Sequence, residues 1–349
     1  MSTMNFLTRS IAERAFDRIA VPRIPREPAR VTEVIQQIER EFLAGPPLTL
    51  HLPVPAVLAG VWAALRESAL AGPTDRAMRE AIVSTVSLIN KCPFCVDSHT
   101  AAMSALGTDP EAKAIRAGRL DAIRRDDIRA ASRWAAATRS PGHSILAAPP
   151  FARADLPYAI GTALSFHYIN RMVNAFLKPW PIVLPSFISR RGIMTRVNAV
   201  FPGRSLGAPN LEPGSSLQFC QKARRVPELA KLDEKPEVAD GWAALVAAAD
   251  DAGAAVLPAP VRTLIGEEIG AWDGSDPGLG SGRIHDAVRE LREEERAAAT
   301  FALTCAFAAY RVDDRLVTQV RIAYPTDREL VSIAAWASAR ATCRIASWL

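Results

Sequence analysis

Apolar residues recur at three- and four-position spacing along most of this chain, with alanine filling many of the places between them. That period is helical, and no set of runs alternates with the two-residue period of a half-buried strand. The spacing predicts helices over residues 6–19, 30–43, 53–70, 74–89, 93–106, 109–117, 126–138 and 156–177. It predicts four more over 238–249, 258–271, 283–310 and 326–349. Thr74 and Asp75 stand where an N-cap belongs, and Gly107 follows Leu106 where a C-terminal glycine would sit. After Leu177 the texture changes to Lys178-Pro179-Trp180-Pro181, Pro185, Pro202-Gly203 and Pro213-Gly214, which breaks helix and strand alike.

These patterns give an all-α fold in three parts: a helical domain over 1–177, a Pro/Gly-rich linker over 178–235 and a second helical domain over 236–349. The second part echoes the first. Leu52-Pro53-Val54-Pro55 resembles Leu257-Pro258-Ala259-Pro260, and the acidic start at Arg79-Glu80 resembles Glu294-Glu295-Arg296. Aligning Glu80 with Glu295 sets Phe307, Tyr310 and Asp314 where the first half has Cys92, Cys95 and His99. The competing reading is unrelated alanine-rich helices that look alike through composition.

A length of 349 residues exceeds one typical domain, and 49% hydrophobic with 23% charged residues excludes global disorder. The formal charge of +5 is spread along the chain without a basic block, which argues against a nucleic-acid partner. No long uninterrupted apolar run exists; the nearest, 156–177, is broken by His167, Asn170 and Arg171, so no membrane span is expected. Glu13 and Asp17 interrupt the N-terminal apolar residues, which argues against a secretory signal and leaves the cytoplasm as the expected location.

Among five cysteines only Cys92 and Cys95 are neighbours, so a disulfide framework is not indicated. Cys92-Pro93-Phe94-Cys95 sets two thiols at the start of a helix, with proline at its first position. Unpaired N–H groups there favour thiolate and are expected to lower a cysteine pKa. His99 follows Cys95 by four positions, one helical turn on, and Glu80 lies on the preceding helix with Ser84 and Ser87 on its face. A carboxylate orienting a histidine beside a thiol is the logic of nucleophile, base and orienting group. An inert buried pair and a zinc site from Cys92, Cys95 and His99 stay open beside it. A glutaredoxin-like reading lacks the βαβ context.

Glu80, Asn90, Cys92, Cys95, His99 and Gly107 together resemble the AhpD-like alkylhydroperoxidase core of the carboxymuconolactone decarboxylase superfamily. Its motif is Glu, eleven residues, Cys-x-x-Cys, three residues, His. The resemblance covers about residues 53–177 and implies an all-helical module, often oligomeric. It implies Cys95 as peroxidatic thiol, Cys92 as resolving thiol and Glu80 with His99 as proton relay. The implied activity is thiol-dependent reduction of organic hydroperoxides without cofactor or metal. The implied partners are a peroxide substrate, an external dithiol reductant such as a lipoyl-bearing protein, and further copies of the chain. Phe94 stands where some members carry a second histidine between the cysteines. His167 and Arg171 are candidate pocket residues by analogy with a late Asn-Arg pair in the family. A general disulfide oxidoreductase and a redox-sensing or zinc-binding protein are the alternatives.

Overall fold

The computed structural model describes residues 13–24, 29–179, 210–277 and 282–349. Among them the chain is helical, with one isolated bridge between Phe16 and Leu177 and no sheet. In chain order the principal helices are α1 Ala29–Glu41, α2 Pro55–Leu65, α3 Arg76–Ile89, α4 Pro93–Ala105, α5 Asp109–Arg116, α6 Asp126–Ala137 and α7 Leu156–Phe176. They continue as α8 Pro236–Val256, α9 Ala259–Gly270, α10 Glu293–Ala308, α11 Asp314–Ala323 and α12 Asp327–Ala346.

Four long helices form a ring at the centre: α2 packs on α8, α8 on α12, α12 on α7, and α7 on α2 and the turn after it. The α2–α8 crossing is close because glycine allows it. A Cβ on Gly60 would lie 2.6 Å from Leu245 Cα, and one on Gly241 would lie 3.0 Å from the Ala63 backbone. Outside the ring α3 packs on α7 and α10 packs on α12. One continuous apolar core joins the two halves, with Trp62, Trp242, Phe176 and Phe301 fully buried in it. Each buried indole finds a partner: Trp62 donates to Gln37 at 2.7 Å and Trp242 to Ser68 Oγ at 3.3 Å.

The helix α2 runs on into a π-turn over Arg66–Leu70. Arg66 lies between the Glu41 and Glu67 carboxylates, at 2.5 and 2.7 Å. Glu67, fully buried, also accepts from Gly214 N at 2.7 Å and from the Ser216 hydroxyl at 2.5 Å. A buried carboxylate is tolerable only when paired and hydrogen-bonded in this way, and the pairing ties residues 212–219 to the ring. Phe219, Leu229 and Leu232 follow into the core.

Several expected elements shift. The helix expected over 6–19 lies partly outside the described residues. Its described part is helical at Glu13 and leaves the helix over 14–19, where Asp17 N donates to Phe176 O and Lys178 N to Ala15 O. Tertiary pairing overrides local propensity there. The helix expected over 283–310 is two: Gly282–Val288, then α10, whose first turn carries Glu293, Glu294 and Glu295 at the favourable N-terminal end. The helix α11 was missed by the apolar pattern because one face is solvent, with Ile322 fully out in water at 83% exposure. Asp313 caps it by accepting from Leu316 N. No described helix is long and apolar enough to cross a membrane.

Candidate active site at the α3–α4 turn

Asp75 caps α3 by accepting from Met78 N, so this residue and not Thr74 fills the N-cap. Such a cap is worth about 1 kcal/mol. The helix ends at Asn90, and the chain reverses through Lys91, a non-glycine residue at φ +52°. That left-handed conformation costs of order 1–3 kcal/mol. It is held by hydrogen bonds from Lys91 N to Leu88 O and from Cys92 N to Ser87 O. The turn delivers Cys92 to the N-cap of α4, with Pro93 opening the helix and Cys95 in its first turn. Gly107, at φ +82°, closes the far end.

The Cys92 thiol donates to the Cys95 sulfur, 2.9 Å away. One turn along α4, His99 Nδ1 meets Glu80 Oε2 at 2.8 Å across the α3–α4 contact. The Phe166 ring stands edge-on to the imidazole, 4.7 Å between centroids and 87° between planes. The four motif residues thus fall into two pairs on adjacent turns, and no hydrogen bond joins His99 to either sulfur.

Both thiols are buried, Cys92 at 0% and Cys95 at 2% exposure. The expected lowering of the Cys95 pKa by the helix N-terminus is overturned. Burial pushes this thiol well above its ordinary value, the hydrogen bond from Cys92 adds to the shift, and only Asn170 opposes it. In this closed state the Cys95 sulfur is held as the thiol near neutrality.

A polar network lies behind the sulfurs. Asn90 Nδ2 donates to His167 Nδ1 at 3.1 Å and to Asn170 Oδ1 at 3.0 Å, and Asn170 Nδ2 donates to Ser87 Oγ at 3.1 Å. His167 Nε2 is 2.8 Å from the Thr138 hydroxyl, which donates to Ala135 O. The imidazole is therefore neutral with its proton on Nε2. Burial, then the charges of Arg171 and Arg139, hold its pKa well below the usual histidine range. The face of α7 carrying Asn170 and the two pocket candidates His167 and Arg171 is buried between helices rather than solvated.

Two clefts flank this arrangement. One opens beside Glu80 and His99 and is walled by Phe42, Leu65, Val83 and Phe166. Arg79 stiffens its rim by donating to the carbonyls of Ala69 and Leu70 at the end of the π-turn. Irregular helical turns of this kind recur at functional sites. The other, a small cavity, lies among Asn90, Arg139, Arg171, Asn174 and Tyr310. Neither Cys92 nor Cys95 lines either space. Among the described residues no three His, Cys, Asp or Glu side chains converge as a metal site needs, so Cys92, Cys95 and His99 do not form one.

Sequence reasoning missed Arg79, Arg139 and the Glu67 clasp. Arg79 reaches the Ala69 and Leu70 carbonyls, Arg139 the Gly274 carbonyl and Glu67 the Ser216 hydroxyl, contacts that no local spacing announces. The remaining histidines, His51, His143 and His285, lie apart from the site. His51 is buried against Tyr168, and burial pushes its pKa down to about 4.

The profile of the carboxymuconolactone decarboxylase family matches residues 56–141, the stretch that holds α2 to α6 and both motif pairs. A Mycobacterium tuberculosis H37Rv protein named alkyl hydroperoxide reductase is 31% identical over 320 residues, which is 91% of this chain and 90% of that protein. No solved structure matches. With the motif spacing, the all-helical fold and similarity along nearly the whole length, the chain belongs to the AhpD-like carboxymuconolactone decarboxylase superfamily.

Proposed function

We propose that this protein is a thiol-dependent peroxidase that reduces organic hydroperoxides. The observation that carries the reading is the pairing of a 2.9 Å sulfur–sulfur contact with a 2.8 Å Glu80–His99 contact one helical turn away. The relative named alkyl hydroperoxide reductase supports it.

Glu80 orients the His99 ring, and the ring takes the Cys95 proton as the sulfur opens toward the cleft. The Cys95 thiolate attacks one peroxide oxygen, the O–O bond breaks, and the alkoxide leaves as alcohol with the proton held by His99. Cys95 is now a sulfenic acid. Cys92, already in contact, attacks that sulfur; a disulfide forms and water departs. An external dithiol, such as a reduced lipoyl group, then returns both cysteines to thiols as it becomes a disulfide itself. The apolar walls of the adjoining cleft favour an alkyl or aryl hydroperoxide over hydrogen peroxide.

The two halves are proposed to be copies of one helical module. Swapping α2 with α8, α3 with α10 and α7 with α12 reproduces the packing order of the ring and its outer helices. A chain that pairs two modules internally needs fewer subunits in an assembly of the kind the family forms.

The test is cumene hydroperoxide reduction with dihydrolipoamide as reductant. Wild type should turn over, and Cys95→Ser and Cys92→Ser should fall to background. A wild type that cycles between dithiol and disulfide without consuming peroxide makes the protein a disulfide oxidoreductase instead.

A further inference from the structure

Arg139 follows the end of α6, and Arg171 lies on α7, where it is 4% exposed. Both line the small cavity that also touches Asn90, Asn174 and Tyr310. Every hydrogen bond they make ends on a backbone carbonyl. Arg171 donates to Ala306 O at 2.8 Å and His167 O at 2.5 Å, and Arg139 donates to Gly274 O at 3.0 Å and Ile89 O at 3.4 Å. Ala306 and Ile89 belong to the last turns of α10 and α3, and a helix C-terminus offers only about half a negative charge.

No described carboxylate forms an ion pair with either guanidinium. Asp276 is the acidic group whose field reaches Arg139, and it is engaged by Lys91 at 2.6 Å, by the Tyr310 hydroxyl at 2.7 Å and by Arg311 at 3.6 Å. Arg139 Nη2 is buried with no partner at all. Two cations offset only by carbonyl dipoles and by the Trp272 ring, 5.3 and 5.7 Å from its centre, are costly around one small space, and guanidinium groups match a planar oxyanion with paired N–H donors. The strain is visible in Arg171, whose pKa is pushed down to about 9 by burial and then by the charge of Arg139.

We propose that this cavity binds a small anion of the carboxylate or inorganic oxyanion class between Arg139 and Arg171. Its small size excludes a nucleotide or a fatty acid. The Lys91–Asp276–Tyr310 cluster stands at its rim, with the ammonium 4.4 Å from the centre of the Tyr310 ring. The site does not depend on the thiol chemistry, although Asn90 belongs both to its wall and to the network behind the sulfurs.

The test is thermal unfolding and titration calorimetry of the full-length reduced protein with sodium formate and, separately, sodium phosphate. Sodium chloride at equal ionic strength is the reference. The expected result is a saturable rise in Tm of about 2–4 °C with at least one oxyanion, one site per chain, and no such rise in chloride. Formate alone acting fixes a carboxylate-sized site; phosphate acting as well fixes a general oxyanion site. Arg139→Gln should abolish the response, and Arg225→Gln, at the surface, should keep it. Asn174→Asp supplies a carboxylate to the same wall and should also abolish the response. Equal shifts in all three salts would overturn the proposal, as would a response that survives in both Arg139→Gln and Asn174→Asp.

Discussion

On the proposed repeat the turn after α3 and the turn after α10 correspond, yet only the first carries the Cys-x-x-Cys pair and its histidine. After α3 the chain passes Lys91 and delivers Cys92, Cys95 and His99 with Glu80 across from them. After α10 it passes a short 3-10 turn, Ala309–Arg311, and the aligned positions hold Phe307, Tyr310 and Asp314. Glu295, aligned with Glu80, pairs at the surface with Arg292 at 2.5 Å instead of with a histidine. Phe307 packs on Trp272 and Tyr310 hydrogen-bonds Asp276. A shared helical frame therefore does not specify chemistry; the three or four side chains at its turn do.

The largest effect that sharpens this contrast is on catalysis. Glu80→Gln should lower peroxide turnover about 10²-fold, the range of a positioned acid–base partner, while Glu295→Gln leaves it unchanged. Steady-state rates of the two variants check this, and equal losses would break the comparison.

The halves should also differ in how pH unfolds them. His51 and His167, both in the first half, are held neutral by burial. Below about pH 6.5 the unfolded chain takes protons that the folded chain refuses, so their stabilisation is present above that pH and lost as pH falls. For His51, with a pKa near 4, the loss by pH 4 is up to about 3 kcal/mol. Burial raises thiols in both halves, Cys95 in the first and, in the second, Cys305 and Cys343, the last to about 12. Their stabilisation is present below the ordinary thiol range near 8.5 and is lost as pH rises above it. Urea midpoints at pH 5, 7 and 10 should fall on both sides of neutrality. His51→Phe should flatten the acid limb alone.

Gly60→Ala should cost about 1–3 kcal/mol, because the new methyl meets the α8 backbone and the two halves must separate to admit it. A denaturant midpoint unchanged from wild type would mean that the α2–α8 contact is looser than this. The smallest effect is expected from Lys91→Ala. The ion pair to Asp276 is half in water, with Lys91 at 55% exposure, and is worth at most about 1 kcal/mol.

Much of the frame and the motif was legible in the sequence because both rest on short-range regularities. The 3–4 spacing marks α2 to α7 to within a few residues, and the Glu80-to-His99 spacing names the residues that meet across α3 and α4. What was not legible depends on groups distant in the chain. The rise of the Cys95 pKa comes from helices that bury the turn, against the local pull of a helix N-terminus. The extended run through Phe16 follows from Leu177, and the lack of an ion pair at Arg139 follows from Asp276 being engaged elsewhere.

The central claim is that Cys95 is the atom that meets peroxide. Cys92→Ser, which has no resolving thiol, should be treated with one equivalent of cumene hydroperoxide and dimedone and mapped by peptide mass spectrometry. The account predicts a dimedone adduct on Cys95, with cumyl alcohol formed in equal amount. An adduct on Cys220, Cys305 or Cys343, or peroxide consumed with Cys95 unmodified, would contradict it.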